Sequence, residues 1–253
     1  MCNQCLCGSG FETSDTTQSE QISIASRLFI LREAYNTQQM DIDHIFIFTD
    51  THGKIAEELI SFGFTANESR VHKGQGTMNR TFSFENFYLE IVWVHDEREI
   101  KSDLVKPTGL WQRAEYFKSN YSPFGLIIVN NEESDHLFEN AYKYQPQYFS
   151  TGMAFDILQN SIQPDLPWTC RMPFRRERHT EKVKVNHKNK IRFLSKASFD
   201  YCGSGGENFI DQFKHEKTIR FTKSGKSWLT LLFDNGQQGA KKIFESLRLT
   251  FVY

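Results

Sequence analysis

The chain has 253 residues, 39% of them hydrophobic and 24% charged, which is typical of a folded protein rather than a disordered one. Its formal net charge is −1, whereas nucleic-acid-binding proteins normally carry a basic excess, so we expect no nucleic-acid partner. No run approaches the roughly 18 apolar residues that a membrane-spanning helix needs. We therefore expect no membrane partner and a cytoplasmic protein. The 23 phenylalanines and only 6 prolines favour a sheet-rich fold.

Residues 1–39 are predicted to be a flexible N-terminal extension. They contain three cysteines in the spacing Cys2-x-x-Cys5-x-Cys7. A structural zinc site usually needs four ligands, often as two separated pairs, and the sequence has no second pair. We interpret the three thiols as part of an exposed tail, with a metal or redox clip as the alternative. Because Met40 directly precedes the first clear strand, residues 1–39 could also lie upstream of the native start.

The pattern from residue 40 to residue 130 predicts one module of the order β, α, β, β, β. Ile42 to Thr49 is an apolar, β-rich run suited to a strand that is covered on both faces. His52 to Phe62 has the apolar stripe of a helix, and Gly63 follows as its C-terminal residue. The remaining strands of this module are predicted at Phe64 to Val71, Thr81 to Phe84 and Phe87 to Val94.

Residues 95–123 are charged and irregular, with a short helix predicted at Trp111 to Phe117, and a strand is predicted at Gly125 to Val129. Beyond them, the second half of the chain shows a weaker version of the order β, α, β, β, β. Residues 131–182 are interpreted as a connector, and residues 183–253 as a second, divergent βαβββ module. Its predicted elements are a strand at Lys190 to Phe199, a helix at Glu207 to Lys214, and strands at Thr218 to Thr222, Trp228 to Phe233 and Leu247 to Val252.

Three segments of the first module carry a resemblance to a known family. Asp43 to Phe48, His72 to Arg80 and Phe82 to Val94, in this order and spacing, resemble the glyoxalase-like domain family of the vicinal-oxygen-chelate superfamily (glyoxalase, bleomycin resistance, extradiol dioxygenase). The resemblance covers Met40 to Val129 and becomes thinner in the second half. It implies an α+β fold in which two βαβββ modules form a curved mixed sheet around a shared cleft.

The resemblance also implies two site residues, His44 and Glu90. In metal-using members of the superfamily, one ligand is a His early in the first strand and another is a Glu in the fourth, and these two residues match those positions. An imidazole and a carboxylate suit Zn, Fe, Mn or Ni. A full site expects two further ligands from the second half, and the predicted strands around Lys190 to Ala197 and Leu247 to Tyr253 contain no His, Asp, Glu or Cys. A metal held by His44 and Glu90 and a metal-free cleft both remain open.

The stretch between residues 72 and 80 combines two glycines with several polar side chains. Glycines allow close approach of the backbone, and an arginine presents a planar fork suited to a carboxylate or phosphate. One interpretation is a loop that binds an anionic or carbonyl substrate, and the other is a turn between two strands. The predicted substrate-binding residues are His72, Gln75, Thr77, Asn79, Arg80 and, beside Trp111, Arg113.

Two functions are consistent with these residues. The first is an enzyme of the lyase, isomerase or dioxygenase type that acts on a small oxygen-rich metabolite, with His44 and Glu90 as catalytic residues or metal ligands. The alternative is a metal-free protein that binds or sequesters a small molecule in the same cleft. Exposed sheet edges in half-barrels often pair, so a homodimer is a further expectation.

Overall fold

The computed structural model describes residues 39–158, 163–176, 185–203 and 205–253. The predictions for the N-terminal extension and for its three cysteines lie outside these residues. No helix in the described ranges is long and apolar enough to cross a membrane.

The first module has the predicted order of elements. It consists of β1 (Ile42–Phe48), α1 (Ala56–Phe62), β2 (Arg70–His72), β3 (Thr77–Ser83) and β4 (Tyr88–Val94). Strand β2 is shorter than predicted and β3 begins earlier, because a tight turn between residues 72 and 77 pairs the two strands closely. The glycines at positions 74 and 76 have φ angles of 78° and 76°, which a glycine adopts without steric cost.

Two short helices follow, α2 (Glu97–Ile100) and α3 (Leu110–Ala114). Helix α2 begins at Asp96, whose side chain accepts hydrogen bonds from the backbone N–H groups of Arg98 and Glu99. This is the usual arrangement at a helix N-terminus, where the first N–H groups lack partners within the helix.

A second unit of the order β, α, β, β, β comes next. Its elements are β5 (Phe124–Asn130), α4 (Glu132–Asp135), β6 (Tyr142–Tyr144), β7 (Phe155–Ile157) and β8 (Trp168–Arg175). The eight strands form one sheet in the order β2-β3-β4-β1-β5-β8-β7-β6. Strand β1 is parallel to β4, β5 is parallel to β8, and β1 and β5 pair antiparallel at the centre. The predicted α+β class with two βαβββ modules in a curved mixed sheet is therefore confirmed.

The second module lies at residues 124–175 rather than at residues 183–253. Much of the segment predicted as a connector supplies its strands β6, β7 and β8. The first two of these have three residues each, which is too short for an alternating pattern to be visible in a sequence.

Residues 194–252 form a separate five-stranded sheet in the order β10-β9-β11-β13-β12. This order differs from that of a βαβββ module, because β10 and β11 both pair with β9. The elements of this part are β9 (Leu194–Tyr201), α5 (Glu207–Asp211), β10 (Ile219–Lys223), β11 (Trp228–Phe233), β12 (Lys241–Phe244) and β13 (Leu249–Val252).

The two faces of the large sheet have different roles. Successive side chains of a strand point to opposite faces, so alternate residues lie on the same face of the sheet. On β1, Ile45 and Ile47 belong to the main hydrophobic core, which also contains residues of the five-stranded sheet such as Leu229 and Phe251. The five-stranded sheet therefore covers one face of the large sheet. The opposite face, which carries His44, is left to form the candidate site.

Candidate functional site

His44 and Glu90 lie on neighbouring parallel strands and face the same side. In the register of β1 and β4, His44 is opposite Tyr88 and Phe46 is opposite Glu90. His44 Nε2 is 3.6 Å from Glu90 Oε2, and both side chains are buried. The two residues that the family resemblance singled out are thus brought together by the sheet.

Asp43 fixes the orientation of the His44 ring. Its Oδ1 is 2.6 Å from His44 Nδ1, and its other carboxylate oxygen pairs with Arg176. The Tyr88 ring stacks on the face of the imidazole with a centroid distance of 4.3 Å. Because Nδ1 donates to the Asp43 carboxylate, the lone pair of Nε2 is left on the side of Glu90.

Sequence reasoning missed the role of Asp43, because strict alternation points the neighbour of His44 to the opposite face. The pairing of β1 with β5 shifts by one residue between Ile42 and His44. Such a β-bulge changes the direction of the side chain at the extra residue, here Asp43, so that it can lie beside His44. An Asp directly before a His in an apolar strand was the available signal.

Four of the predicted polar residues surround the Glu90 carboxylate. Asn79 donates a hydrogen bond to Glu90 Oε1, and His72 Nε2 lies 3.8 Å from the same oxygen. His72 Nδ1 is 2.8 Å from Thr77 Oγ1, which also accepts a hydrogen bond of 2.9 Å from Gln75 Nε2. The turn between β2 and β3 therefore forms a polar network that orients Glu90.

Burial keeps both histidines uncharged. It lowers the pKa of His44 from 6.5 to about 4, although the nearby Glu90 carboxylate acts in the opposite direction. Burial also lowers the pKa of His72, again against the influence of Glu90. Glu90 thus lies between two imidazoles that are both neutral at neutral pH.

A cavity of about 420 Å³, which we call the central cavity, is lined by His44, His72, Gln75, Asn79 and Glu90 but not by Thr77. Its first-module wall is polar, and its second-module wall is apolar and aromatic. Tyr148, which the sequence did not single out, connects the walls, because its hydroxyl donates to Gln75 Oε1 over 2.9 Å. The apolar side is formed by Phe46, Leu110, Ile127, Phe149, Phe155, Trp168, Cys170 and Met172.

Arg80 and Arg113 do not line the central cavity. On β3, Asn79 and Thr81 face the cavity, so Arg80 between them points to the other face. Arg113 is fully buried, and its guanidinium donates to the backbone carbonyls of Ser122 and Leu166, both over 2.9 Å. Burial lowers the pKa of Arg113 to about 9. It connects two loops of the fold.

His187, the remaining histidine near the predicted second-half strands, lies between Thr65 and Ser83. Its Nδ1 accepts a hydrogen bond from the Thr65 N–H over 3.0 Å, and its Nε2 donates to the Ser83 carbonyl over 2.9 Å. It does not line the central cavity.

The donor set of the central cavity does not fit a metal held by several protein ligands. In the described residues, no group of three or more His, Cys, Asp and Glu side chains is arranged to bind a metal ion. The second module, whose β5 and β8 correspond to β1 and β4, places Ile127 and Cys170 at the cavity. Burial raises the pKa of the Cys170 thiol, which disfavours the thiolate that binds metals. The first-module wall supplies His44 and Glu90 as a close pair of donors, and His72 Nε2 lies 3.8 Å from the other Glu90 oxygen.

The paired βαβββ modules and the polar site on β1 and β4 define a protein of the vicinal-oxygen-chelate class. The family model described as "Glyoxalase-like domain" matches residues 42–141, which extend from β1 into the second module. This segment of the chain is a glyoxalase-like domain. No curated protein matches the sequence.

Several solved structures align with this chain at low sequence identity. A hypothetical protein from Staphylococcus aureus aligns over 84% of this chain and 98% of its own, with 12% identity and a TM-score of 0.53. A methylmalonyl-CoA epimerase in complex with methylmalonyl-CoA aligns over 53% and 93%, with 15% identity and a TM-score of 0.35. A mutant of 4-hydroxymandelate synthase from Streptomyces coelicolor aligns over 84% and 62%, with 9% identity and a TM-score of 0.39. The first similarity supports the fold alone.

Proposed function

We propose that this protein is an isomerase-type enzyme that moves a proton on a small oxygen-rich molecule bound in the central cavity. The observation that carries the proposal is the pair His44 Nε2 and Glu90 Oε2, 3.6 Å apart in a buried site. Two such groups on one side of a cavity can take a proton from one substrate atom and return it to the next.

Each residue has a separate role in this reaction. Glu90 accepts the proton from a carbon or hydroxyl next to a carbonyl group, and Asn79 holds the carboxylate by its Oε1. His44 Nε2 receives the proton from Glu90 and delivers it to the adjacent substrate atom, while Asp43 stabilises the imidazolium. One proton is taken from the substrate and one is returned, so the transfer is balanced, and the proton held on Glu90 or His44 exchanges with solvent before it is returned. Asp43 is a positioning residue, because it acts through His44.

The shape of the central cavity supports a substrate with one polar and one apolar end. The aromatic wall around Trp168 and Phe155 provides apolar surface, whereas Arg70 at the polar side carries a positive charge. A few polar groups in a largely apolar pocket are typical of small-molecule sites. We therefore place the carbonyl end of the substrate at Glu90 and an apolar substituent against the second module.

Exchange of substrate hydrogens with solvent deuterium tests the proposal. A panel of small α-hydroxy ketones and α-keto acids is incubated with the protein in D₂O, and incorporation is followed by NMR. We expect incorporation next to the carbonyl of at least one compound. The Glu90→Gln variant keeps the shape of the side chain and should lower this rate about 10²- to 10⁴-fold.

Glu58→Gln is the matched control, because Glu58 is exposed on α1 and does not line the central cavity. Its exchange rate should equal that of the unchanged protein. Equal rates for Glu90→Gln and the unchanged protein would contradict the role of Glu90. A panel that binds without any exchange would contradict proton transfer.

A second candidate is a metal-free binding or sequestering protein. It is favoured by the eight mostly apolar and aromatic side chains on one side of the cavity and by the donor set that does not fit a metal. In this case a compound of the panel binds with measurable heat and is recovered unchanged, with no deuterium. Calorimetry and the exchange experiment on the same sample therefore separate the two functions.

A further inference from the structure

A second cavity, here called the lateral cavity, lies where the loop after α3 meets the five-stranded sheet. Its volume is about 720 Å³, and none of its lining residues lines the central cavity. One side comes from residues 116–121, and the other from the beginning of β11 and the residue that precedes β13. The proton-transfer site described above does not use it.

Two cations in the lateral cavity lie against aromatic rings. Lys226 Nζ is 3.8 Å from the ring centroid of Trp228, and Arg248 Cζ is 5.0 Å from that of Tyr116. Across residues 39–158, 163–176, 185–203 and 205–253, neither side chain forms an ion pair with a carboxylate within 4.0 Å. Lys226 also acts on the pKa of Asp200 from beyond this distance, but with no carboxylate within 4.0 Å both cations can still pair with a ligand beside the rings.

The walls that carry these cations are themselves held in place. Trp228 Nε1 donates a hydrogen bond to Thr250 Oγ1 over 2.9 Å, which fixes the indole. Arg248 has a φ of 50°, a conformation that residues other than glycine adopt rarely, and its carbonyl accepts from the Leu229 N–H. A strained, non-glycine residue at a cavity is a common feature of binding sites.

The carboxylate of Asp165, which also lines the lateral cavity, does not neutralise these cations. It accepts hydrogen bonds from the backbone N–H groups of Cys202 and Gly203. With one carboxylate against Lys226 and Arg248, the lining residues carry an excess of positive charge. Phe117 adds an aromatic surface that is 48% exposed.

We infer that the lateral cavity binds a planar aromatic anion, a flat ring that carries a carboxylate, sulfonate or phosphate group. The anionic group pairs with Lys226 and Arg248, and the ring contacts Phe117 and the neighbouring aromatic side chains. Charge-assisted hydrogen bonds supply affinity and orientation, and the exposed aromatic surface is covered by the ligand. The inference does not depend on the reaction in the central cavity.

Calorimetric titration of the full chain with 2-naphthoate tests this site, with uncharged 2-naphthalenemethanol as the matched probe. We expect one molecule of 2-naphthoate to bind per chain, more weakly at high salt, because surface charges are screened. The uncharged probe should bind at least about tenfold more weakly, the loss expected for a charge-assisted hydrogen bond. Absence of binding, or equal binding of both probes, would overturn the inference.

Variants of the lining residues show whether 2-naphthoate binds in the lateral cavity. Lys226→Gln combined with Arg248→Asn should weaken 2-naphthoate binding at least about tenfold. Asparagine is chosen at position 248 because it tolerates the left-handed conformation. Lys223→Gln, an exposed lysine that does not line the lateral cavity, is the control and should leave the affinity unchanged.

The single variant Lys226→Gln keeps the test valid if the double variant does not fold, since Lys226 is exposed. It should still weaken binding by about threefold or more, within the range for loss of one charged contact. Arg70→Gln distinguishes the two cavities, because Arg70 lines only the central one. If Arg70→Gln weakens 2-naphthoate binding and the Lys226 variants do not, the probe occupies the central cavity and the inference is wrong.

Discussion

The two βαβββ modules have the same topology, but they line the central cavity with different kinds of side chain. Strands β1 and β4 of the first module place His44 and Glu90 at the central cavity, whereas β5 and β8 of the second module place Ile127 and Cys170 there. His44 and Ile127 are even direct partners in the central antiparallel pair. The repeated fold thus provides a cavity with two equivalent walls. The residues differ between the two walls, so under the proposed function we expect the polar wall to react and the apolar wall to bind.

The largest effect expected from this comparison is on turnover. His44→Gln keeps a polar side chain but removes the imidazole, so we expect kcat in the exchange assay to fall about 10²-fold or more. Ile127→Val, at the paired position on β5, removes one methylene from the apolar wall. It should raise KM about fivefold, within the effect of one methylene in a hydrophobic pocket, and leave kcat unchanged. A fall in kcat for Ile127→Val of the size seen for His44→Gln would contradict the division between the walls.

The buried histidine of the first module should make stability depend on pH. Because folding lowers the pKa of His44 from 6.5 to about 4, the unfolded chain binds more protons than the folded one between these values. The free energy of unfolding is therefore highest above pH 6.5 and falls as the pH decreases towards about 4. The loss is about 3 kcal/mol for this group.

Urea denaturation at a series of pH values measures this dependence. The lowered pKa values of His72 and His187 act in the same direction. His44→Gln serves as the comparison, since it should reduce the slope between pH 6.5 and about 4. An identical slope in the variant would show that His44 does not titrate as described.

The modules approach closely at Gly125, because this residue has no side chain. Gly125 on β5 is opposite Phe46 on β1, and a Cβ at this position would overlap the Phe46 ring. Gly125→Ala should lower the free energy of unfolding by about 1–3 kcal/mol through overpacking. Gly225→Ala is the control, because a Cβ there meets no atom within 4 Å. Thermal unfolding of both variants checks the difference, and equal melting temperatures would contradict the packing argument.

The smallest effect is expected from metal removal. With two donors on the first wall and an apolar second wall, the purified protein should contain less than a stoichiometric amount of transition metal. EDTA should leave the melting temperature unchanged. Elemental analysis by mass spectrometry measures the content. One equivalent of Zn, Fe, Mn or Ni that disappears in Glu90→Gln would contradict this expectation and support the metal site that the resemblance implied.

The first module was largely predictable because its signals are local. The apolar run of β1 and the stripe of α1 that ends at Gly63 are visible in short windows of sequence. The resemblance to glyoxalase-like domains added His44 and Glu90, which no periodicity distinguishes from other polar residues. The sequence singled out the polar turn as a group, and the structure connects His72, Gln75, Thr77 and Asn79 in a network that reaches Glu90.

The second module was not located, because its evidence is not local. Strands β6 and β7 are three residues long, and the pairing of β6 with β7 and of β7 with β8 joins residues that are 11 to 15 positions apart in the chain. The five-stranded sheet was read as a repeat because its strands are long and visible, whereas its order depends on pairing. The predicted homodimer and the cytoplasmic location remain predictions.

By itself, the sequence determined the class of fold, the family of the segment at residues 42–141, and the pair His44 and Glu90. These features depend on residue type and short-range order. Only the tertiary structure decided that Asp43 orients His44 and that Arg113 is a buried support, because the direction of a side chain depends on strand register and packing. It also decided that the wall facing the polar site is apolar. That wall is built from strands far apart in the chain, and only their pairing brings their alternate residues onto one face.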